Sequence, residues 1–213
     1  NKFGLKVMSF GFISGNDTPV IWRGPLVSRM TEQFFKDVEW GELDYLILDL
    51  PPGTGDIQLT LTQKLRMSGA IIVTTPQDIA LSDVRKGADM FRKVKTPILG
   101  VVENMSGLII NGIVKDANGD TVNGGTIATD VGSDYQIENN GKFELSLDLF
   151  KKGGGLAESK RLDIPLLGQI PISNDIVSAT DNGEPLIRFN PDHKASKIYM
   201  SIVEKMTSIL EDA

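Results

Sequence analysis

The sequence contains no cysteine. That excludes a disulfide framework, and it excludes a thiolate-held zinc or iron–sulfur cluster built from this chain alone. For a chain without disulfides the expected compartment is the cytoplasm. A single histidine, His193, cannot found a His-rich metal site, and its plain reading is a solvated residue in the first turn of the last helix. No apolar run is long enough to span a membrane, and no signal-peptide pattern opens the chain. Basic charge is in deficit, with 22 Lys and Arg against 28 Asp and Glu and a net charge of −6. That balance speaks against sequence-independent nucleic-acid binding, though it leaves room for a local basic patch. The phosphate-gripping pattern G-x-x-x-x-G-K-[ST] is also missing from all 213 residues.

The length fits one α/β domain, or one domain with a small insert, and 40% apolar residues supply a sizeable core. Leu5 to Phe10 alternates like a short strand. Leu26, Met30, Phe34 and Val38 recur every four residues and mark the inner face of a helix. Tyr45 to Asp49 reads as a fully buried strand, and Asp56 as the N-cap of a helix carrying Ile57, Leu61 and Leu65 inward. A second buried strand, Ala70 to Thr74, ends at Pro76. Val84, Ala88, Phe91 and Val94 carry the next helix. Pro97 to Val102 is a third strand running into Glu103-Asn104-Met105-Ser106. Strand, helix, strand, helix, strand predicts a mostly parallel sheet with flanking helices and right-handed crossovers.

That rhythm breaks after Ser106. Residues 107–149 turn to Gly, Asn, Asp, Thr and Val, with turn signals at Asn118-Gly119, Asn123-Gly124-Gly125 and Asn140-Gly141. Short alternating pieces lie between them, at Ile110 to Val114, Thr126 to Ala128, Tyr135 to Ile137 and Lys142 to Leu147. This is hairpin grammar, and it predicts a small antiparallel insert. The α/β pattern returns after Gly153-Gly154-Gly155. Pro165 to Ile170 is a fourth buried strand, ending at Pro171. Asn190 with Pro191 opens a final helix that turns Ile198, Ile202, Met206, Ile209 and Leu210 inward. The expected organisation is one α/β domain over 1–106 and 150–213, interrupted by the 107–149 insert.

The chemistry concentrates at Leu43 to Asp56, an apolar run that ends in Asp49 and then breaks into Pro51-Pro52-Gly53-Thr54-Gly55-Asp56. A carboxylate at a strand's C-terminal end can hold Mg²⁺, usually through a water. Gly53 and Gly55 let backbone N–H groups approach a phosphate, and Thr54 adds a hydroxyl. The bland alternative is an ordinary strand-to-helix turn capped by Asp56. Asn104 could equally satisfy backbone groups at a strand end, and Pro171 could merely end a strand.

Several long phrases together resemble the Mrp/ApbC family of P-loop ATPases, relatives of MinD and ParA. They are Pro19-Val20-Ile21-Trp22-Arg23-Gly24-Pro25, Asp44 through Asp56, Thr74-Thr75-Pro76-Gln77 with Asp83-Val84-Arg85-Lys86-Gly87, and Gly100 through Ser106. The match resumes at Gly153-Gly154-Gly155 and Ile164 through Pro171. The resemblance implies a P-loop NTPase-like sheet and a dimeric, ATP- and Mg²⁺-dependent ATPase that assembles or carries iron–sulfur clusters for client or scaffold proteins. It implies that Asp49 is the Walker B-type Mg²⁺ aspartate and Gly53 the switch II glycine, both serving catalysis. Thr54 and Gly55 would line the phosphates, Asn104 would contact the adenine, and Pro171 would flank the base.

Three departures accompany it. The family's G-K-G-G-x-G-K-[ST] loop belongs upstream of Asn1, so hydrolysis is expected only if that loop precedes this chain in the full-length protein. The Cys-x-x-Cys that follows Asn-Met-Ser in the family is replaced by Gly107-Leu108-Ile109-Ile110 and the insert, which faintly resembles part of a carboxypeptidase regulatory-like β-sandwich. Ser173 stands where the family often has Asp. Two alternatives therefore stay open: a non-catalytic, P-loop-less scaffold for dimerisation and partner binding, and a ParA/MinD-like partitioning ATPase. The acidic balance counts against the latter's DNA binding.

Overall fold

The computed structural model describes residues 2–9, 11–14, 32–50, 56–130 and 134–212. They fall into two compact units, Asn1–Met67 and Ser68–Ala213.

In the first unit the expected strand at Leu5 to Phe10 is absent from the described residues. Instead Lys2 and Leu5 form an isolated antiparallel bridge across Phe3 and Gly4, both at positive φ, and residues 6–9 are irregular. Helix α1 is Gly11–Ser14. Residues 32–36 form a helix, α2, that contains Phe34; Leu26 and Met30 lie outside the described residues. The Trp40 indole N–H donates to the Phe34 carbonyl at 2.8 Å, closing the chain back on α2. Helix α3, Asp56–Lys64, forms as expected, one residue earlier, with Asp56 its first residue rather than its N-cap, and it buries Leu61. The expected buried strand at Tyr45 to Asp49 is not formed. Residues 45–50 have no strand pairing, and Tyr45, Leu46 and Ile47 are exposed. An apolar run becomes a parallel strand only when a neighbour takes its N–H and C=O groups, and among the described residues none does.

The second unit is a sheet with helices on both faces. It runs β1 (Ala70–Thr74), α4 (Asp78–Lys93), β2 (Ile98–Ile113), β3 (Gly125–Ile127), β4 (Tyr135–Ile137), β5 (Lys142–Leu147), α5 (Gly154–Leu162), β6 (Leu166–Ile172), α6 (Asn174–Asp181), α7 (Leu186–Phe189) and α8 (Lys194–Glu211). β1 and β6 are both parallel to β2, and each pairs with Val101 and Val102, so they occupy its two edges. Further along, Leu108 pairs with Leu147 of antiparallel β5 and with Ile172 of β6. β5 therefore takes over the edge that β1 occupies earlier. β3 and β4 form a separate two-stranded sheet.

Successive strand residues alternate faces. Val102 joins Leu167, Ile170 and Ile202 in a cluster under α8. Glu103, on the opposite face, meets α5. Gly168 admits α8, because a Cβ there would lie 2.5 Å from Ile202 Cγ1. Leu81, Ala88, Met90 and Phe91 are the buried stripe of α4, close to the expected phase.

Three boundaries differ from expectation. β2 does not end at Val102 but continues to Ile113, because β5 and β6 supply partners for its second half. β6 does not end at Pro171 but runs to Ile172. Proline's missing N–H is harmless there: among the described residues β6 pairs only with β2, and the register shifts between Asn104 and Leu108. Finally, Asn190 closes α7, and the cap of α8 is His193. Its Nδ1 accepts from Ala195 N–H at 3.1 Å while Nε2 faces Asp175 Oδ2 at 3.1 Å, so the ring is a bridging cap, 22% exposed, rather than a solvated first-turn residue. Among the described residues no helix is long and apolar enough to cross a membrane.

Candidate functional site

The C-terminal ends of β1 and β6 and the end of the parallel half of β2, at Asn104, form one edge of the parallel sheet, where open α/β sheets bind ligands. Thr74 pairs with Glu103, so Thr75, just past the end of β1, and Asn104 in β2 come next. Asn104 pairs in turn with Ile170, and Pro171 follows. The structure thus brings Asn104 and Pro171 to adjoining positions, with Asn104 half-buried and Pro171 buried. Asp49 belongs to the first unit and is exposed in an irregular segment. Gly53, Thr54 and Gly55 lie outside the described residues, as do Trp22 and Arg23.

Asn104 sits at the start of a bulge. Met105 (φ 56) and Gly107 (φ 81) are both left-handed, and the β2–β6 register shifts across them. The Asn104 Oδ1 accepts from the Met105 N–H at 2.9 Å. Its amide nitrogen has no partner among the described residues, and it can still donate twice. The Thr75 hydroxyl oxygen, at the same edge, is buried without a hydrogen-bond partner among the described residues. Buried polar groups are normally paired, and an orphan at a sheet edge suits a polar ligand.

Sequence reasoning passed over the residue beneath. Glu103 is fully buried. Its Oε1 accepts from Ser106 Oγ at 2.6 Å and from Gln169 Nε2 at 2.7 Å, and its Oε2 from Gly155 N–H at 2.6 Å. The signal was a lone carboxylate in the run Val101-Val102-Glu103-Asn104, opposite a Gly-Gly-Gly. Those glycines now have reasons. A Cβ on Gly155 would lie 2.7 Å from Glu103 Cβ, and one on Gly154 2.5 Å from the Pro76 carbonyl. Gly153 is left-handed at φ 79 and caps α5 without a side chain.

A second buried carboxylate, Glu158 on α5, receives Arg161 (2.6 Å) and Arg85 of α4 (3.3 Å). Burial pushes this carboxyl up, but the hydrogen bonds and charges of the two guanidiniums outweigh it and hold it below its ordinary value. Asp78, at the start of α4, is held below its ordinary value by the hydrogen bond and charge of Lys151 at 2.6 Å. Among the described residues no group of three or more His, Cys, Asp or Glu is placed to hold a metal.

The family model described as ParA, NUBPL iron-transfer P-loop NTPase, matches residues 1–118 and 135–207. The chain belongs to this family. It is similar to the iron-sulfur cluster carrier protein of Aquifex aeolicus, 37% identical over 99% of this chain and 50% of that protein. It is 40% identical to the iron-sulfur cluster carrier protein of Synechocystis, over 95% of this chain and 49% of that protein. With the mouse iron-sulfur cluster transfer protein NUBPL it shares 35% identity, over 100% of this chain and 57% of that protein. The chain thus spans about half the length of these curated relatives. Among solved structures, the nucleotide-binding protein of Archaeoglobus fulgidus in complex with ADP matches with TM-score 0.53 and 32% identity, covering 78% of this chain and 56% of that one. The cell division ATPase MinD of Pyrococcus furiosus matches with TM-score 0.51 and 17% identity, over 86% of this chain and 57% of that one, a likeness of fold alone. As a P-loop NTPase-like chain it has the expected architecture: a mostly parallel sheet, flanking helices and a small antiparallel pair. The NUBPL-type match skips residues 119–134, which include β3 and lie within the predicted insert.

Proposed function

We propose that this chain is part of the nucleotide-binding domain of an Mrp-type ATPase that carries or transfers iron–sulfur clusters. The observation that carries the reading is the juxtaposition of Asn104 and Pro171 on adjoining strands at the C-terminal sheet edge. Family membership and relatives named as iron-sulfur carriers support it. So does the ADP bound by the Archaeoglobus nucleotide-binding protein.

The described residues fit the base end of an adenine nucleotide. The free Asn104 amide donors and the orphan Thr75 hydroxyl are polar groups awaiting a polar partner. In this reading Asn104 contacts the adenine and Pro171 flanks it. Gly53, Thr54 and Gly55 line the phosphates, with Asp49 and Gly53 serving hydrolysis. Asp49 is the residue that would hold Mg²⁺, and the ion when bound would supply charge neutralisation at the phosphates. The domain comprises 1–106 and 150–213, with 107–149 as its insert. The protein acts as a homodimer, in the cytoplasm, on iron–sulfur client or scaffold proteins.

The cluster is cargo, and this chain has no thiolate to ligate it. That one fact favours a second reading for the cluster step: the chain supplies nucleotide-linked dimerisation and partner binding, and the ligands come from elsewhere. Two assays on the intact protein separate the readings. ATP hydrolysis above background is expected, lost in Asp49→Asn. Anaerobic reconstitution with iron and sulfide is expected to give a cluster chromophore under the first reading and none under the second. An intact protein that neither binds nor hydrolyses ATP would overturn both.

A further inference from the structure

The geometry points to Glu103 as the positioning residue that sets the aim of Asn104, and so the base preference of the site. The inference rests on the proposed nucleotide reading.

Glu103 immediately precedes Asn104, on the opposite face of β2. Its carboxylate has no solvent exposure and joins three elements: the β2 bulge through Ser106, β6 through Gln169, and the first turn of α5 through Gly155. Every partner donates. The place therefore calls for an acceptor-only group, which among side chains means a carboxylate.

A purely structural role would need much less. A helix N-terminus is ordinarily satisfied by a Ser, Thr, Asp or Asn at its own cap. Here the cap is Gly153 with no side-chain bond, and the acceptor arrives from 52 residues away. Gly155 has no Cβ, which leaves room for that approach. A buried carboxylate is a costly way to cap a helix. What it adds is a fixed geometry for residues 103–106. Ser106 is tied back across the left-handed Met105 by its 2.6 Å bond to Glu103, and Met105 N–H is tied to Asn104 Oδ1. The bulge is held from both ends, and bulges beside ligand sites serve to re-aim side chains. Gln169, the third strut, lies two residues before Pro171 on β6, so one carboxylate holds the strands carrying both base-side residues.

Glu103→Gln keeps the shape but turns an amide N–H₂ toward donors. The test is titration of the intact protein with fluorescent ADP and fluorescent GDP, alongside a urea unfolding curve. Wild type is expected to prefer the adenine nucleotide. E103Q is expected to unfold cooperatively and to lose that preference by about ten-fold, the worth of one well-made hydrogen bond. An unchanged ADP-to-GDP affinity ratio, or an equal loss for both nucleotides, would overturn the inference and leave the proposed function standing. Equal affinity for both in wild type would also overturn it, since there would be no aim to set. Where E103Q fails to fold, Ser106→Ala removes one strut and keeps the carboxylate. A ratio reduced about three-fold supports the inference, and an unchanged ratio overturns it. Absence of any nucleotide binding by wild type would instead strike at the proposed function itself.

Discussion

Glu158 makes a residue-scale prediction with a definite sign. Its side chain is fully buried, while its partners Arg161 and Arg85 are 34% and 51% exposed. Removing the carboxylate strands two cations, but both reach water, so the penalty falls short of that for a sealed pair. Glu158→Ala is expected to cost about 2 kcal/mol in urea unfolding. Because the folded-state pKa lies below the unfolded value, the carboxylate's contribution is fully present above the unfolded pKa and is lost as pH falls through the folded one. The gap between wild type and Glu158→Gln should therefore narrow as pH drops from 7 to below about 4. A gap constant over that range would mean that the ion pairs carry no stability. Neither Glu158 nor Glu103 was legible as buried in the sequence. Arg161 and Ser106 stand three residues from them, but the packing that seals each carboxylate also brings partners from 73 and 52 residues away, which single-sequence patterns do not see. Asn104 and Pro171 are legible as neighbours because the apolar runs before them give two parallel strands of clear phase, although Asn104 lies within β2 rather than at its end.

At the scale of elements, the Gly153-Gly154-Gly155 turn sets how α5 seats against the sheet, and its three glycines do different work. Gly154→Ala forces a Cβ against backbone at Pro76, which cannot move aside. Gly155→Ala meets the Glu103 side chain at 2.7 Å. Gly153→Ala meets nothing within 4 Å and carries only left-handed strain at φ 79. The expected destabilisation is about 3 kcal/mol for Gly154→Ala, about 2 for Gly155→Ala and about 1 for Gly153→Ala. Thermal unfolding of the three variants tests the order, and a largest loss at Gly153 would sink it. The elements themselves were largely readable. β1, β4 and β5 span the residues expected from alternation and turn signals. The errors share a cause. Local punctuation predicts a strand ending near Asn104, whereas β2 continues past it because β5 and β6 offer partners. Tyr45 to Asp49 fails to form because, among the described residues, no partner is offered. Asn190 and Pro191 look like a cap and first position, yet α8 starts after His193. The sequence does not reveal that Leu186–Phe189 forms its own short helix or that His193 bridges to Asp175.

For the molecule as a whole, pairing and burial imply a steep gradient of local stability. Val101 and Val102 hydrogen-bond to strands on both edges, and Val101 and Glu103 have no solvent exposure. Helices cover both faces there. Their amides can exchange only when the second unit opens globally. Among the described residues β3 and β4 pair only with each other, three residues each, and a two-stranded ribbon is marginal in water. Residues 43–50 carry no secondary structure and expose Ile47 to 84%. Hydrogen exchange should therefore run slowest at 101–103, faster by several orders of magnitude at 125–127 and 135–137, and fastest at 43–50. Mass-spectrometric exchange on the isolated chain tests this directly. Protection at 45–49 approaching that of β2 would mean that the apolar run is a paired strand after all, and that Asp49 is delivered to a sheet edge as the sequence pattern expected. Fast exchange there, with slow exchange at 101–103, would mean that this chain keeps the proposed nucleotide edge at Asn104 rigid while the Asp49 segment stays unpaired.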